Sequence, residues 1–283
     1  MLHRLSTYRH FVKIEHTLFS FPLLLSGALL ARHHSLSLRT LMLILLAGTG
    51  ARTAALSLNR ILDRRFDRDN PRTAGRELPR GAMAPREAWL ITSVGTITYL
   101  LAAYLISPRC LMLAPLPLAI FVIYPLLKRV TAWAHLGVGL ALSMAPIGAW
   151  YAVTLTFDHM GPTLVLGLFT LFWVSGFDII YSTLDEDYDR RVGLHSLPAR
   201  WGKRKALSIS MAFHLAAFVC LAVLYWMELR GMASGLLLLV TGALLYVEQR
   251  KASNVELAFF TINSVLGFVV LAFVYAGVTA SGR

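Results

Sequence analysis

The sequence predicts an all-α membrane protein, one polytopic domain over residues 1–283 with nine transmembrane helices around a central cavity. Two observations carry this. Hydrophobic residues make up 57% of the chain and charged residues only 15%, with a mean hydropathy of +0.62, whereas soluble domains hold about 25% charged residues. The apolar residues also come in long blocks, each close to the roughly 20 residues that cross a bilayer as a helix. No stretch of soluble composition is long enough to form a separate domain.

In chain order the blocks are 16–31, 40–60, 88–106, 110–127, 134–154, 162–184, 206–226, 232–248 and 255–278. The first is too long for a cleavable signal and leads straight into the polytopic pattern. The third and fourth are close together, so they read either as two helices or as one hairpin bent at Pro108. Pro115 and Pro117 are candidate breaks in the fourth. Cys110 and Cys220 lie far apart with no CxxC, which argues against a disulfide framework or a thiolate metal site.

Basic residues orient the bundle. Arg4, Arg9 and Lys13, eight arginines from 60 to 86, Lys128 and Arg129, six basic residues from 190 to 205, and Arg250 with Lys251 fall on one side. Only Arg32, Arg39, Arg109, Arg230 and Arg283 fall on the other, and Arg52 lies within a span. The positive-inside rule then puts the N-terminus in the cytoplasm, in an integral multi-pass protein expected in a bacterial inner membrane. The net charge of +12 is explained by this bias and by anionic lipid, and calls for no nucleic acid.

Acidic residues are scarce and clustered. Of 15 Asp and Glu, nine lie between 63 and 77 or between 178 and 189, at the ends of the second and sixth spans. Asn59, Asp63 and Asp67 recur every four residues, so they form one ridge on a helix. Asp178, Tyr181, Asp185 and Asp189 also share a face. Carboxylates at a membrane edge are costly unless paired or metal-bound. If the two faces oppose each other, the carboxylates and the amide converge on one pocket, where a cation relieves their repulsion. Oxygen ligands favour a hard ion, with Mg²⁺ shared between carboxylates and phosphate oxygens as the standard case. The ordinary alternative is a pair of interfacial helix ends carrying Asp–Arg pairs. A weak repeat supports the site: each motif is followed by basic residues and then by Leu78-Pro79-Arg80-Gly81 or Leu197-Pro198-Ala199-Arg200. Two similar halves related by an axis along the membrane normal would place the site between them.

Arginine's fork matches phosphate oxygens. Candidate diphosphate ligands are Arg60, Arg64, Arg72, Arg76, Lys128, Arg129, Arg190 and Lys203; topology signal or lipid contact is the alternative for each. Arg52 lies two turns deeper than Asn59 on the same ridge, where it is expected to meet an anionic group on a second substrate, such as an aromatic carboxylate. His16, beside Glu15, is a candidate proton acceptor or acceptor contact, or else part of a capped helix start. His135 and His214 read as packing or interface residues.

The combination resembles the UbiA superfamily of intramembrane aromatic prenyltransferases. Asn59-x3-Asp63-x3-Asp67 is similar to that family's first motif, and Asp178-x2-Tyr181-x3-Asp185-x3-Asp189 to its second. The stretch from Asn70 to Pro79, the stretch from Val192 to Pro198, and Tyr124-Pro125-x2-Lys128-Arg129 resemble family loops, so the likeness covers essentially the whole chain. It implies that Asn59, Asp63, Asp67, Asp185 and Asp189 hold Mg²⁺ on the diphosphate of a polyprenyl donor. It also implies that Tyr124 positions substrate, that Asp178 and Tyr181 position the isoprenoid head or orient the metal ligands, and that the allylic bond ionises for attack by an aromatic acceptor. The nearest subgroup resembles 4-hydroxybenzoate polyprenyltransferase of ubiquinone and menaquinone biosynthesis. Lys13-Ile14-Glu15-His16-Thr17 stands where those enzymes carry a basic-acidic-Lys-Pro-x-Gly pattern, and it resembles a branch linked to a dihydroxynaphthoate in an alternative menaquinone route. The acceptor is therefore either compound; a Mg²⁺ or organic-anion transporter is the rival outside the enzyme class.

Overall fold

The computed structural model describes residues 2–13, 17–31, 34–255 and 261–281. Among the described residues all the regular structure is helical: α1 (Leu2–Val12), α2 (Thr17–Leu30), α3 (Leu38–Leu62), α4 (Arg64–Asp69), α5 (Pro85–Ile106), α6 (Pro108–Leu113), α7 (Pro115–Leu127), α8 (Ala134–Thr154), α9 (Gly161–Ser182), α10 (Glu186–Val192), α11 (Leu197–Glu228), α12 (Met232–Arg250) and α13 (Asn263–Ser281). A 3-10 turn, Thr183–Asp185, joins α9 to α10.

By length and hydropathy, eight segments among the described residues are able to cross a membrane, α6 and α7 together making one of them. The expected span 16–31 is the exception. Its helix, α2, has 14 residues, about 21 Å at 1.5 Å per residue, against a hydrocarbon core of about 30 Å. It packs chiefly between α8 and α13, with Leu23, Leu24, Ser26, Ala28 and Leu30 buried. Its apolar sequence thus meets protein more than lipid. The fourth expected span breaks at Ala114, where Pro115 starts a new helix.

Close packing relies on small residues, as membrane helices require. A Cβ on Gly50 of α3 would come within 2.7 Å of the Gly95 carbonyl of α5, and one on Gly95 within 2.9 Å of the Gly50 carbonyl. The main core joins α2, α8, α9, α11, α12 and α13 around Phe169, Trp173, Leu221 and Phe273. One polar chain inside it links three helices: the Trp173 indole donates to Asn263, whose amide donates to Glu248, at 2.6 and 2.8 Å.

Candidate active site

Both aspartate motifs sit where a long helix turns into a short one. Asp63 separates α3 from α4, yet the ladder runs on, with Asp63 N–H bonded to Asn59 C=O at 2.9 Å and Asp67 N–H to Asp63 C=O at 2.8 Å. The i, i+4, i+8 ridge therefore persists through the junction. The second motif follows α9 through the 3-10 turn into α10, which stops at Gly193, whose φ of +73° favours glycine.

The two tips meet. Tyr188 donates to the Phe66 carbonyl at 2.7 Å, and Asn70 donates to Asp185 at 2.8 Å. Arg72 reaches across from the loop after the first motif to both oxygens of Asp185 and to the Tyr181 hydroxyl. Arg76 binds both oxygens of Asp67 at 2.8 Å. Lys128 binds Asp63 Oδ2, and Arg129 lies 3.8 Å from Asp63 Oδ1. Four of the basic candidates, Arg72, Arg76, Lys128 and Arg129, thus stand against the aspartates.

Four others do not. Arg60 is buried in an ion pair with Glu77 at 2.6 Å, with its guanidinium 5.3 Å from the centre of the Phe11 ring. That corrects its expected place: it fastens the loop rather than facing the aspartates. A small core of Phe11, Leu78, Met83 and Ala88 fastens the same loop. Arg190 pairs with Glu186 at 2.7 Å on an exposed face. Arg64 and Lys203 are exposed and contact none of the aspartates among the described residues. His16 lies outside the described residues.

A cavity of about 690 Å³ adjoins the motifs. It runs from Asp178, near the end of α9, to Leu164, near its start, about 21 Å along the helix. Its walls are apolar and aromatic, and Arg52 and Asp178 are its only charged lining side chains among the described residues. Arg52 also donates to the carbonyls of Val12 and Lys13 at 3.2 and 2.9 Å, which ties the end of α1 to α3.

Two further groups belong to this region. Lys13 lies outside the spans, and burial, then the charges of Arg60, Arg76 and Arg72, push its pKa down to about 8. His135 Nδ1 sits 2.7 Å from Asp178 Oδ2, so its expected packing role gives way to a partnership with a cavity carboxylate. Neither contact follows a sequence spacing; the only hint at His135 is a lone histidine opening an apolar span.

The donor set fits a hard divalent ion shared with phosphate. The motifs offer oxygen atoms only, and Asp63 Oδ1 is buried without a hydrogen-bond partner. Among the described residues no three acidic, histidine or cysteine side chains are close enough to hold one ion. The expected single carboxylate cluster is therefore not preassembled; the aspartates are spread over basic partners. That suits Mg²⁺, which usually takes one or two carboxylates together with substrate phosphates rather than an all-protein cage.

Residues 20–265 match the profile of the UbiA prenyltransferase family. The fold superposes on an apo UbiA homologue from Aeropyrum pernix K1 with a TM-score of 0.83 and 34% identity, covering 95% of this chain and 99% of that one. A UbiA homologue from Archaeoglobus fulgidus, solved with GPP and Mg²⁺, shares the fold at a TM-score of 0.70 and 18% identity, over 96% of this chain and 99% of that one. A 4-hydroxybenzoate octaprenyltransferase of Salmonella paratyphi B is 26% identical over 228 residues, 77% of this chain and 76% of its own. A polyprenyl transferase of Arthrobotrys oligospora is 36% identical over 151 residues, 53% of this chain but only 41% of its own length.

Proposed function

The chain belongs to the UbiA prenyltransferase family, and from that premise we propose that it moves a polyprenyl group from polyprenyl diphosphate onto a hydroxylated aromatic acid. The observation that carries this acceptor class is the cavity's pair of charges, Arg52 on one helix and Asp178 on another, in otherwise apolar and aromatic walls. A benzoate-type acceptor has a matching pair of polar ends: a carboxylate for a guanidinium and a hydroxyl for a carboxylate. The 4-hydroxybenzoate octaprenyltransferase among the relatives supports the same reading. A role in ubiquinone or menaquinone synthesis follows if the acceptor is hydroxybenzoate or a dihydroxynaphthoate.

In this account Asn59, Asp63, Asp67, Asp185 and Asp189 hold Mg²⁺ with the donor diphosphate. Mg²⁺, when bound, neutralises the negative charge that grows on the departing diphosphate. Arg72, Arg76, Lys128 and Arg129 give up part of their hold on the aspartates and bind the same phosphate oxygens. The isoprenoid tail lies along the cavity walls, which keep water from the allylic cation. Tyr124, on the cavity wall, and Tyr181, bonded to Arg72, border the donor head. Arg52 orients the acceptor carboxylate, so that an electron-rich ring carbon faces the cation. The basic bias of the motif loops supports their facing the cytoplasm, where soluble acceptors and Mg²⁺ are available.

The test is product mass spectrometry on the purified protein with Mg²⁺ and geranyl or longer diphosphates. Hydroxybenzoate, dihydroxynaphthoate, a neutral phenol and a glycerol phosphate serve as acceptors. Prenylated hydroxybenzoate or dihydroxynaphthoate is the expected product. Prenylation of the glycerol phosphate alone would contradict the acceptor assignment, and transport without diphosphate release would contradict catalysis.

A further inference from the structure

Asp178 is held from behind by a histidine, and that histidine is held in turn by the backbone after the second motif. His135, at the start of α8, is buried, with Nδ1 2.7 Å from Asp178 Oδ2. Its Nε2 accepts a bond from the Leu197 backbone N–H at 3.4 Å. A backbone N–H only donates, so Nε2 is the acceptor and a neutral ring carries its proton on Nδ1, facing Asp178. Ser175 donates to the His135 carbonyl at 3.1 Å, which ties the same turn of α8 to α9. Asp178 Oδ1 has no hydrogen-bond partner among the described residues, and its side chain is 24% exposed, on the cavity wall. One carboxylate oxygen is thus occupied and the other is left for a ligand.

Asp178 is also well placed relative to the donor. Tyr124 lines the same cavity as Asp178, and Lys128, one turn further along, binds Asp63, so the cavity carboxylate lies beside the first motif. Leu197, whose N–H bonds His135, opens α11 shortly after the second motif.

We propose that His135 is a positioning residue for prenyl transfer, fixing Asp178 so that its free oxygen takes the hydroxyl proton of the aromatic acceptor. The idea rests on the acceptor class proposed above. The hydroxyl proton passes to Asp178. The ring carbon bonds to the allylic carbon, while the allylic C–O bond breaks and its electron pair leaves on diphosphate. The ring C–H proton goes to the released diphosphate, and Asp178 returns its proton to the acceptor oxygen. One prenylated phenol and one hydrogen diphosphate result, and Asp178 ends as it began.

Three variants and one spectrum test this. His135→Asn places an amide N–H where Nδ1–H was; His135→Gln puts its amide at the far end of the ring's reach; His135→Phe fills the space with no donor. A misplaced catalytic group costs about 100-fold and a general base is worth about 100- to 10,000-fold, so His135→Phe and His135→Gln are expected to lose about 100-fold in kcat while donor KM stays within about twofold. His135→Asn is expected to stay within about threefold of wild type by the same reasoning. The ¹⁵N NMR spectrum of histidine-labelled wild-type protein, with His135 assigned by its loss in His135→Asn, is expected to show a neutral ring protonated on Nδ1. An unchanged kcat in His135→Phe, equal losses in His135→Asn and His135→Phe, or a proton on Nε2 would overturn the proposal. The spectrum needs no variant to retain its fold beyond the one used for assignment. Failure of the wild-type protein to prenylate any hydroxylated aromatic acid would remove the acceptor reading, and this proposal with it. An active wild type matched by His135→Phe would remove this proposal alone.

Discussion

Asp63 is buried with one oxygen on Lys128 and the other lacking a hydrogen-bond partner. A buried unsatisfied acceptor costs about 1–3 kcal/mol, and a protein keeps such a cost where a ligand relieves it. Asp63→Asn preserves shape and removes charge; prenyl transfer is expected to fall about 1,000-fold or more, with the thermal unfolding midpoint near that of wild type. Arg52→Leu is expected to raise KM for an acidic acceptor by about 10- to 100-fold, the worth of a charge-assisted bond, and to leave a neutral phenol almost unaffected. The phenol separates lost recognition from the loosening of α1, since Arg52 also holds the Val12 and Lys13 carbonyls. Lys13 gives a pH effect. With its pKa lowered to about 8, it is cationic below that pH and neutral above, so donor affinity is expected to fall as pH rises through about 8. Lys13→Arg, which keeps its charge, is expected to flatten that profile in a donor-analogue titration.

At the scale of helices and loops, the loop after the first motif depends on contacts that the sequence only half discloses. The first aspartate ridge is legible because its four-residue spacing survives the α3–α4 junction. Arg60 was not: one residue past Asn59 is about 100° around the helix, which turns its side chain from the aspartate ridge to Phe11 and Glu77. Glu77→Ala leaves that buried guanidinium unpaired and is expected to cost about 3 kcal/mol, read as a lower unfolding midpoint in detergent. The His135–Asp178 pair joins residues 43 apart, a tertiary contact that no local pattern encodes. The shortness of α2 escaped for a related reason: hydropathy measures apolarity and does not distinguish lipid from protein as its surroundings. Gly176 lets α9 lie against α11, since a Cβ there would come within 2.2 Å of the His214 ring. Gly176→Ala is expected to cost about 1–3 kcal/mol as overpacking.

Taken whole, the molecule sets a polar, aspartate-lined rim over a long apolar cavity, and a prenyl diphosphate has the same two-part character. Hydropathy blocks predicted the bundle, and the paired motifs predicted the rim; Arg52 and Asp178 stand out separately in the sequence, and that they line one cavity is a tertiary fact no local pattern encodes. In the proposed function the α3–α4 and α9–α10 tips act together on one Mg²⁺-bound diphosphate. The most direct test is titration calorimetry of a non-hydrolysable prenyl thiolodiphosphate against wild type, Asp63→Asn and Asp185→Asn, each with Mg²⁺ and with chelator. Mg²⁺-dependent binding by the wild type, lost in each single variant, is the expected result. Binding that ignores the chelator, or that survives unchanged in either variant, would contradict it.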